Sequence, residues 1–231
     1  MKFFRYYGDE RQQLSRCVYC GKDGVETRDH VPSKVLLDSP YPEHLPVVPS
    51  CKKCNQNLSL DEEYVACFIE CARVGSVFEG SVMREKIRKI LFQKPALKTR
   101  LQKSFTAVGN KEFILGEKNR IENIFIKLGK GHLAFEFNSP QYDDPESIEL
   151  FLLDDISSEE CGSFNAVPQM AIFPEIGSRA SQRMVISESN IGLGWQIVQE
   201  DRYRYLVASL DFLLVRIVVS EYIGCRIIWR D

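Results

Sequence analysis

The sequence predicts an α+β protein, on three observations. Four cysteines form two C-x2-C pairs, Cys17 with Cys20 in CVYCG and Cys51 with Cys54 in CKKCN, separated by 30 residues. Apolar residues then recur at helical spacing, first after Ser59 and again after Asn119. Beyond Pro140 they gather into short runs rich in Ile, Leu, Val and Tyr, the pattern of a mainly antiparallel sheet. Three stretches follow from this: a motif-bearing module over 1–80, a basic helical connector over 81–118, and an α+β domain over 119–231.

The first stretch opens on a knuckle, a turn at Lys22 to Gly24, and a short strand from Val25 toward Arg28. Pro32, Pro40, Pro42, Pro46 and Pro49 then impose an extended loop, because proline in a helix interior removes a hydrogen bond and clashes. Ser59 and Glu62 have the spacing of a capping box. Tyr64, Val65, Phe68, Cys71 and Ala72 mark one helical face, and Gly75 is placed to end it. In the second stretch, MREKIRKILFQKPALKTRLQKSF reads as amphipathic helix interrupted near Pro95. A helix from about Asn119, with Asn119 and Glu122 as cap candidates, carries Ile121, Ile124, Phe125 and Leu128, and Gly129 and Gly131 weaken its far end. Strands are expected at IELFLLDD, GWQIVQE, YRYLVAS, LLVRIVVSEY and CRIIW, with a turn at QEDR.

Composition excludes several classes. A net charge of −2 gives no bulk attraction to nucleic acid, so any such binding needs a local basic patch. MKFFRYYGDERQQ has no apolar core or cleavage site, so it does not read as a signal peptide. The most apolar run, SLDFLLVRIVVSEYIG, is broken by Asp211, Arg216 and Glu221, so no membrane span is expected. These features suit a cytoplasmic protein. In that compartment paired C-x2-C motifs read as zinc ligands rather than disulfides. A tetrahedron of thiolates from Cys17, Cys20, Cys51 and Cys54 would hold structural Zn2+, with a working element between the knuckles. Cys67, Cys71, Cys161 and Cys225 sit in apolar contexts and read as buried thiols.

Asp29 and His30 lie inside the bracketed segment, in TRDHVPSK. An imidazole suits a base acting near neutral pH, and a carboxylate is a hard ligand for Mg2+. Together they suit phosphodiester hydrolysis. Asn55, next to Cys54, is either a second hard ligand or a helix cap.

At these residues the chain resembles the HNH endonuclease family, the ββα-metal nucleases. The matching parts are CVYCG, TRDHVPSK, VVPSCKKCN and SLDEEYV, over about the first third of the chain. The resemblance implies a zinc-stabilised β-hairpin and helix gripping one divalent ion, Mg2+ or Mn2+. It implies His30 as the general base, Asp29 and Asn55 as ligands of the catalytic cation, and the four cysteines as zinc ligands. It implies cleavage leaving 5′-phosphate and 3′-hydroxyl ends. Pro46 stands where the family has its central asparagine, and His44 is the nearby candidate substitute. Glu62 and Glu63 are auxiliary candidates, or first-turn carboxylates complementing the helix dipole.

The expected partner is nucleic acid, double-stranded DNA first. Arg84, Lys86, Arg88, Lys89, Lys94, Lys98, Arg100 and Lys103 are the candidate backbone contacts, against a solvated helical face. His132 reads as structural or surface. Residues 119–231 are free to serve a protein partner or a homodimer. The alternatives are a non-catalytic zinc module that binds nucleic acid or protein, and a nuclease subunit of a bacterial defence complex that acts only with its partner.

Overall fold

A computed structural model of the chain describes residues 16–106, 117–187 and 193–230. The leader reading of the first 13 residues, and 107–116 of the connector, lie outside them. Two strands, β1 (Thr27–His30) and β2 (Val47–Ser50), pair antiparallel with Asp29 opposite Val48 and His30 opposite Val47. Helices α1 (Lys52–Asn57) and α2 (Ser59–Val74) follow. Next come α3 (Glu85–Gln93), α4 (Pro95–Thr106) and α5 (Lys118–Phe137). Strand β3 (Ser147–Leu152), helices α6 (Ser158–Asn165) and α7 (Arg179–Ser187), and strands β4 (Gln196–Gln199), β5 (Tyr203–Ser209), β6 (Leu213–Val219) and β7 (Ile223–Trp229) complete the order. The last five strands form one antiparallel sheet in the order β3-β7-β6-β5-β4. The architecture is therefore α+β, and no helix among the described residues is long and apolar enough to cross a membrane.

Helix α5 organises the molecule. It is buried from Lys127 to Phe137, so it is a core helix rather than an amphipathic surface one. The two glycines expected to weaken it are instead its points of closest approach. A Cβ on Gly129 would stand 2.8 Å from the Trp229 ring, and one on Gly131 would stand 2.7 Å from Val31 Cγ2. The helix runs on to Phe137 and ends with Asn138 at φ 55°. We expect Gly131→Ala to destabilise the fold by about 1–3 kcal/mol, because Val31 is buried and has no room to yield. A urea melt reads this directly, and an unchanged midpoint would mean the helix has slack there.

One apolar cluster runs from Val18 and Val31 through Tyr64, Phe125 and Leu133 to Tyr203 and Trp229. The core thus crosses both expected boundaries, near 80 and near 118, because α5 packs against α2 and β2 as well as the sheet. Of the polar groups buried in α5, His132 shares a 2.8 Å hydrogen bond through Nε2 with the Tyr203 hydroxyl and stacks on Tyr205, while its Nδ1 and Glu136 Oε2 are left without a hydrogen bond among the described residues. Burial pushes the His132 ring well below its ordinary value, with Arg183 adding to the effect, so it is a neutral core histidine.

Two caps differ from expectation. Leu58 joins α1 to α2 at φ −95° and ψ −3°. That is helical backbone, and a capping side chain requires an extended residue. The Ser59 hydroxyl instead donates to Gln56 O at 2.8 Å, and the Glu62 side chain turns inward to Lys127. Helix α5 starts after Glu117, with Lys118 and Glu122 as an ion pair. A capping box does form at Ser157 and Glu160, at the head of α6, which the sequence reading missed along with α7. Gly75 ends α2 in the left-handed region, at φ 62°.

Candidate metal centre

The four knuckle cysteines converge. Their Sγ atoms all lie within 4.8 Å of one another, and Cys20 and Cys51 are 3.9 Å apart. Four sulfurs on one zinc at Zn–S distances of ~2.3 Å would stand ~3.8 Å apart. A disulfide needs ~2.05 Å, so the cluster is four free thiols rather than two bridges. Local hydrogen bonds set each turn: Gly21 N–H donates to Cys17 O at 2.9 Å, and Cys54 N–H donates to Cys51 Sγ at 3.4 Å. Gly21 sits at φ 69° against the Tyr142 ring. Val18 N–H donates to Pro49 O at 3.1 Å, tying the first knuckle to β2.

Burial works against the Cys17 thiolate, but backbone hydrogen bonds at Cys51, Tyr19 and Cys20 outweigh it and bring the thiol down to about 7. Cys20 and Cys54 are pushed up, first by burial and then by the neighbouring thiols. A dication between them supplies the charge that four thiolates need. This donor set fits a metal ion such as zinc. Cys67 and Cys71, in contrast, are buried in α2; burial raises both, Cys71 to about 12.

The knuckle leads straight to the Asp-His pair. Tyr19, inside the first C-x2-C, donates its hydroxyl to Asp29 Oδ2 at 2.9 Å. Lys127 Nζ, from α5, reaches the same oxygen at 2.6 Å and Glu62 Oε1 at 2.6 Å. Ser33 Oγ donates to Glu62 Oε2 at 3.0 Å. Asp29 is only 6% exposed. Burial opposes the Lys127 ammonium, but the Asp29 and Glu62 carboxylates outweigh it and raise its value, so it remains charged. Burial also raises Glu62, and Lys127 holds that rise back.

Asn55 points its side chain at the hairpin. Its Nδ2 donates to Thr27 Oγ1 at 3.1 Å, and that hydroxyl donates to Ser50 O at 2.7 Å. Thr27 and Asp29 are two apart on β1 and therefore share a face. Asn55 thus stands beside the strand that carries Asp29, bonded to Thr27 and not to Asp29. His30 takes the last position of β1 and is half-buried where the chain leaves the hairpin. Beyond it, Val31 N–H donates to Pro46 O at 3.0 Å. The Pro46 carbonyl thereby continues the ladder at the position where the resemblance expects an asparagine.

Among the described residues, the four cysteines are the one group of three or more His, Cys, Asp or Glu side chains within range of a shared ion. Asp29 and Glu62 lie outside that group, and what they share is the Lys127 ammonium. The carboxylates already attract a cation, since the Lys127 ammonium sits on them. His44 is exposed in the turn before Leu45. Glu63 faces away from the site and pairs with Lys94 at 2.7 Å. Tyr19, Lys127 and Ser33 were not singled out from sequence. Tyr19 alone carried a signal there, as the aromatic residue inside CVYC.

The basic stretch divides. Arg84 is buried and departs from the surface role expected of it. Its Nε meets Asp38 at 2.5 Å and its Nη2 donates to Leu37 O and Val35 O at 2.7 and 3.1 Å. Lys86 Nζ donates to Lys34 O and Tyr41 Oη at 3.2 and 3.1 Å. Both residues hold the proline loop that follows His30. Lys94 pairs with Glu63 and Arg100 with Glu117, which lowers their free charge. Arg88, Lys89 and Lys103 are exposed, and Lys89 pairs with Glu85 at 2.7 Å. Lys98 lies over the Phe78 ring.

Comparison with known proteins finds no matching family model, no matching curated protein and no matching solved structure.

Proposed function

We propose that the protein is a metal-dependent endonuclease of the HNH type that hydrolyses phosphodiester bonds in DNA. The observation that carries this reading is the four-cysteine cluster, which ties a β-hairpin ending in Asp29-His30 to the helix bearing Asn55. Hairpin, then helix, with these residue types at these positions, is the arrangement expected for a ββα-metal site. A non-catalytic zinc knuckle needs none of the three.

The residues divide the work. A divalent cation, when bound, neutralises charge on the phosphate and the leaving oxygen. The Asp29 carboxylate and the Asn55 side-chain oxygen would hold it. The His30 imidazole takes a proton from the attacking water at a ring nitrogen. Tyr19 and Lys127 fix the Asp29 carboxylate through Oδ2. The Pro46 carbonyl, bonded to Val31 N–H, fixes the strand end that presents His30. Arg88 supplies exposed positive charge for phosphate contacts.

The test is conversion of supercoiled plasmid to open circle by zinc-loaded protein, titrated with Mg2+ or Mn2+. We expect Asp29→Asn and Asn55→Ala to raise the metal concentration needed for half-maximal rate by about tenfold or more, since ligand or supporting losses cost 10–100-fold in such sites. Identical metal dependence in both variants would remove them from the cation site.

A second reading is favoured by one observation. Asp29 is nearly sealed by Lys127, as a carboxylate with a structural role would be. In that reading the zinc module binds nucleic acid or a protein without cleaving it, and wild type would bind plasmid but leave it intact at every metal concentration.

A further inference from the structure

We infer that Cys20 and Cys51 form a peroxide-sensitive modification site, at which oxidation to a disulfide expels zinc from the four-cysteine cluster. Their Sγ atoms stand 3.9 Å apart and belong to different knuckles. Both side chains are part-exposed, whereas Cys17 is 0% exposed. Outside the cluster, Cys67, Cys71 and Cys225 are buried and Cys161 is part-exposed. Lys22, Lys52 and Lys53 are exposed and flank the accessible knuckle sulfurs in the chain. Partial exposure beside positive charge is the setting that makes a thiolate reactive.

One thiolate attacks a peroxide oxygen, the O–O bond breaks, and the sulfur becomes a sulfenic acid. The other thiolate attacks that sulfur; the S–S bond forms and the oxygen leaves. Two electrons pass from the sulfurs to the peroxide, which takes two protons from solvent and ends as two waters. The sulfurs close from 3.9 Å to ~2.05 Å. Cys17 and Cys54 then remain as thiolates, half of the four that a structural zinc of this kind requires, so the ion is lost.

The modification reaches the hairpin because each knuckle carries a contact to it. Tyr19, next to Cys20, donates to Asp29 Oδ2 at 2.9 Å, and Asn55, next to Cys54, donates to Thr27 Oγ1 at 3.1 Å. Cys51 Sγ also accepts from Cys54 N–H at the head of α1. Drawing Cys20 onto Cys51 moves the loop that carries Tyr19, and loss of the ion frees Cys54 and the start of α1. Oxidation therefore loosens the hairpin and α1 together.

The experiment treats the zinc-loaded full chain with hydrogen peroxide, follows released zinc with a colorimetric chelator and locates disulfides by peptide mass mapping. We expect about one zinc released per disulfide formed, a Cys20–Cys51 cross-link, and Cys17 and Cys54 newly open to alkylation. A dithiol reductant with added Zn2+ should restore the cluster. Cys161→Ser should respond as wild type does, and the double variant Lys52→Gln/Lys53→Gln should release zinc several-fold more slowly. Zinc retained at peroxide levels that already oxidise Cys161, release without a disulfide, a disulfide between any other pair, or an unchanged rate in the lysine variant would overturn the assignment. A reduced chain that takes up no zinc would overturn it too. Every readout is of the cluster itself, so these outcomes are the same whether or not the chain cleaves DNA.

Discussion

Stripping the metal from the four-cysteine cluster is expected to unfold the amino-terminal part of the chain. The elements it holds are too short to persist alone: β1 and β2 have four residues each and α1 has six. A four-thiolate zinc site supplies about 10–16 kcal/mol of folding free energy at neutral pH, against a total stability of about 5–15 kcal/mol for a typical domain. Cys51→Ala should therefore cost more than any other single change in this region. Cys51 also accepts from Cys54 N–H at the head of α1, so its loss frees that helix as well. Tyr19 would lose its place with the knuckle, and Asp29 would lose the hydroxyl on Oδ2. Hydrogen exchange after chelation, with metal content measured in parallel, should show protection lost across 16–58 first. Retained protection in a metal-free chain would show that the cysteines stabilise nothing.

Glu70→Ala is expected to be the most damaging change outside the metal centre, at about 3–5 kcal/mol, the usual result of leaving buried charge unpaired. Glu70 is 2% exposed, in the C-terminal third of α2. Its Oε1 meets Arg202 Nη1 at 2.9 Å and Arg84 Nη1 at 3.6 Å, and accepts from Ser220 Oγ at 3.3 Å. Asp38 is the other partner of both arginines. Without Glu70, two largely buried guanidiniums share one half-exposed carboxylate. Asp38 belongs to the loop that follows His30, and it is also clasped by Gln199, which accepts from Asp38 N–H at 2.8 Å and donates to Asp38 O at 3.0 Å. The carboxy-terminal sheet thus steadies the loop beside the candidate site. Chemical denaturation of Glu70→Ala and Glu70→Gln would check this. A loss under about 1 kcal/mol in the alanine variant would mean that water or rearranged partners satisfy the arginines.

What was legible in the sequence was what local spacing encodes. The cysteine pairs announce their own convergence, because each C-x2-C turn is fixed by neighbouring backbone groups. The strands of the sheet showed as apolar runs between turn residues, and the QEDR turn falls between β4 and β5, with Asp201 at φ 57°. What failed depended on partners far along the chain. Glu62 looked like half of a capping box, but its partner is Lys127, 65 residues away. Arg84 looked like surface charge, but its partners Asp38 and Glu70 come from two other elements. Gly129 and Gly131 looked like helix weakness because propensity is local, whereas Trp229 and Val31 need the space. Lys127 carried no signal of its own, since a lysine in a helical pattern reads as exposed until the carboxylates facing it are known.

The measurement that bears most directly on the nuclease reading is plasmid nicking by wild type and His30→Ala, in Mg2+ and in Mn2+, with zinc quantified in both. His30 lies at the end of β1 and is not one of the four clustered cysteines, so the alanine variant should keep its zinc. The expected result is metal-dependent nicking by wild type and a rate about 10²–10⁴-fold lower in the variant, the usual contribution of a general base. Equal rates in the two proteins, or no nicking by folded, zinc-loaded wild type, would contradict it.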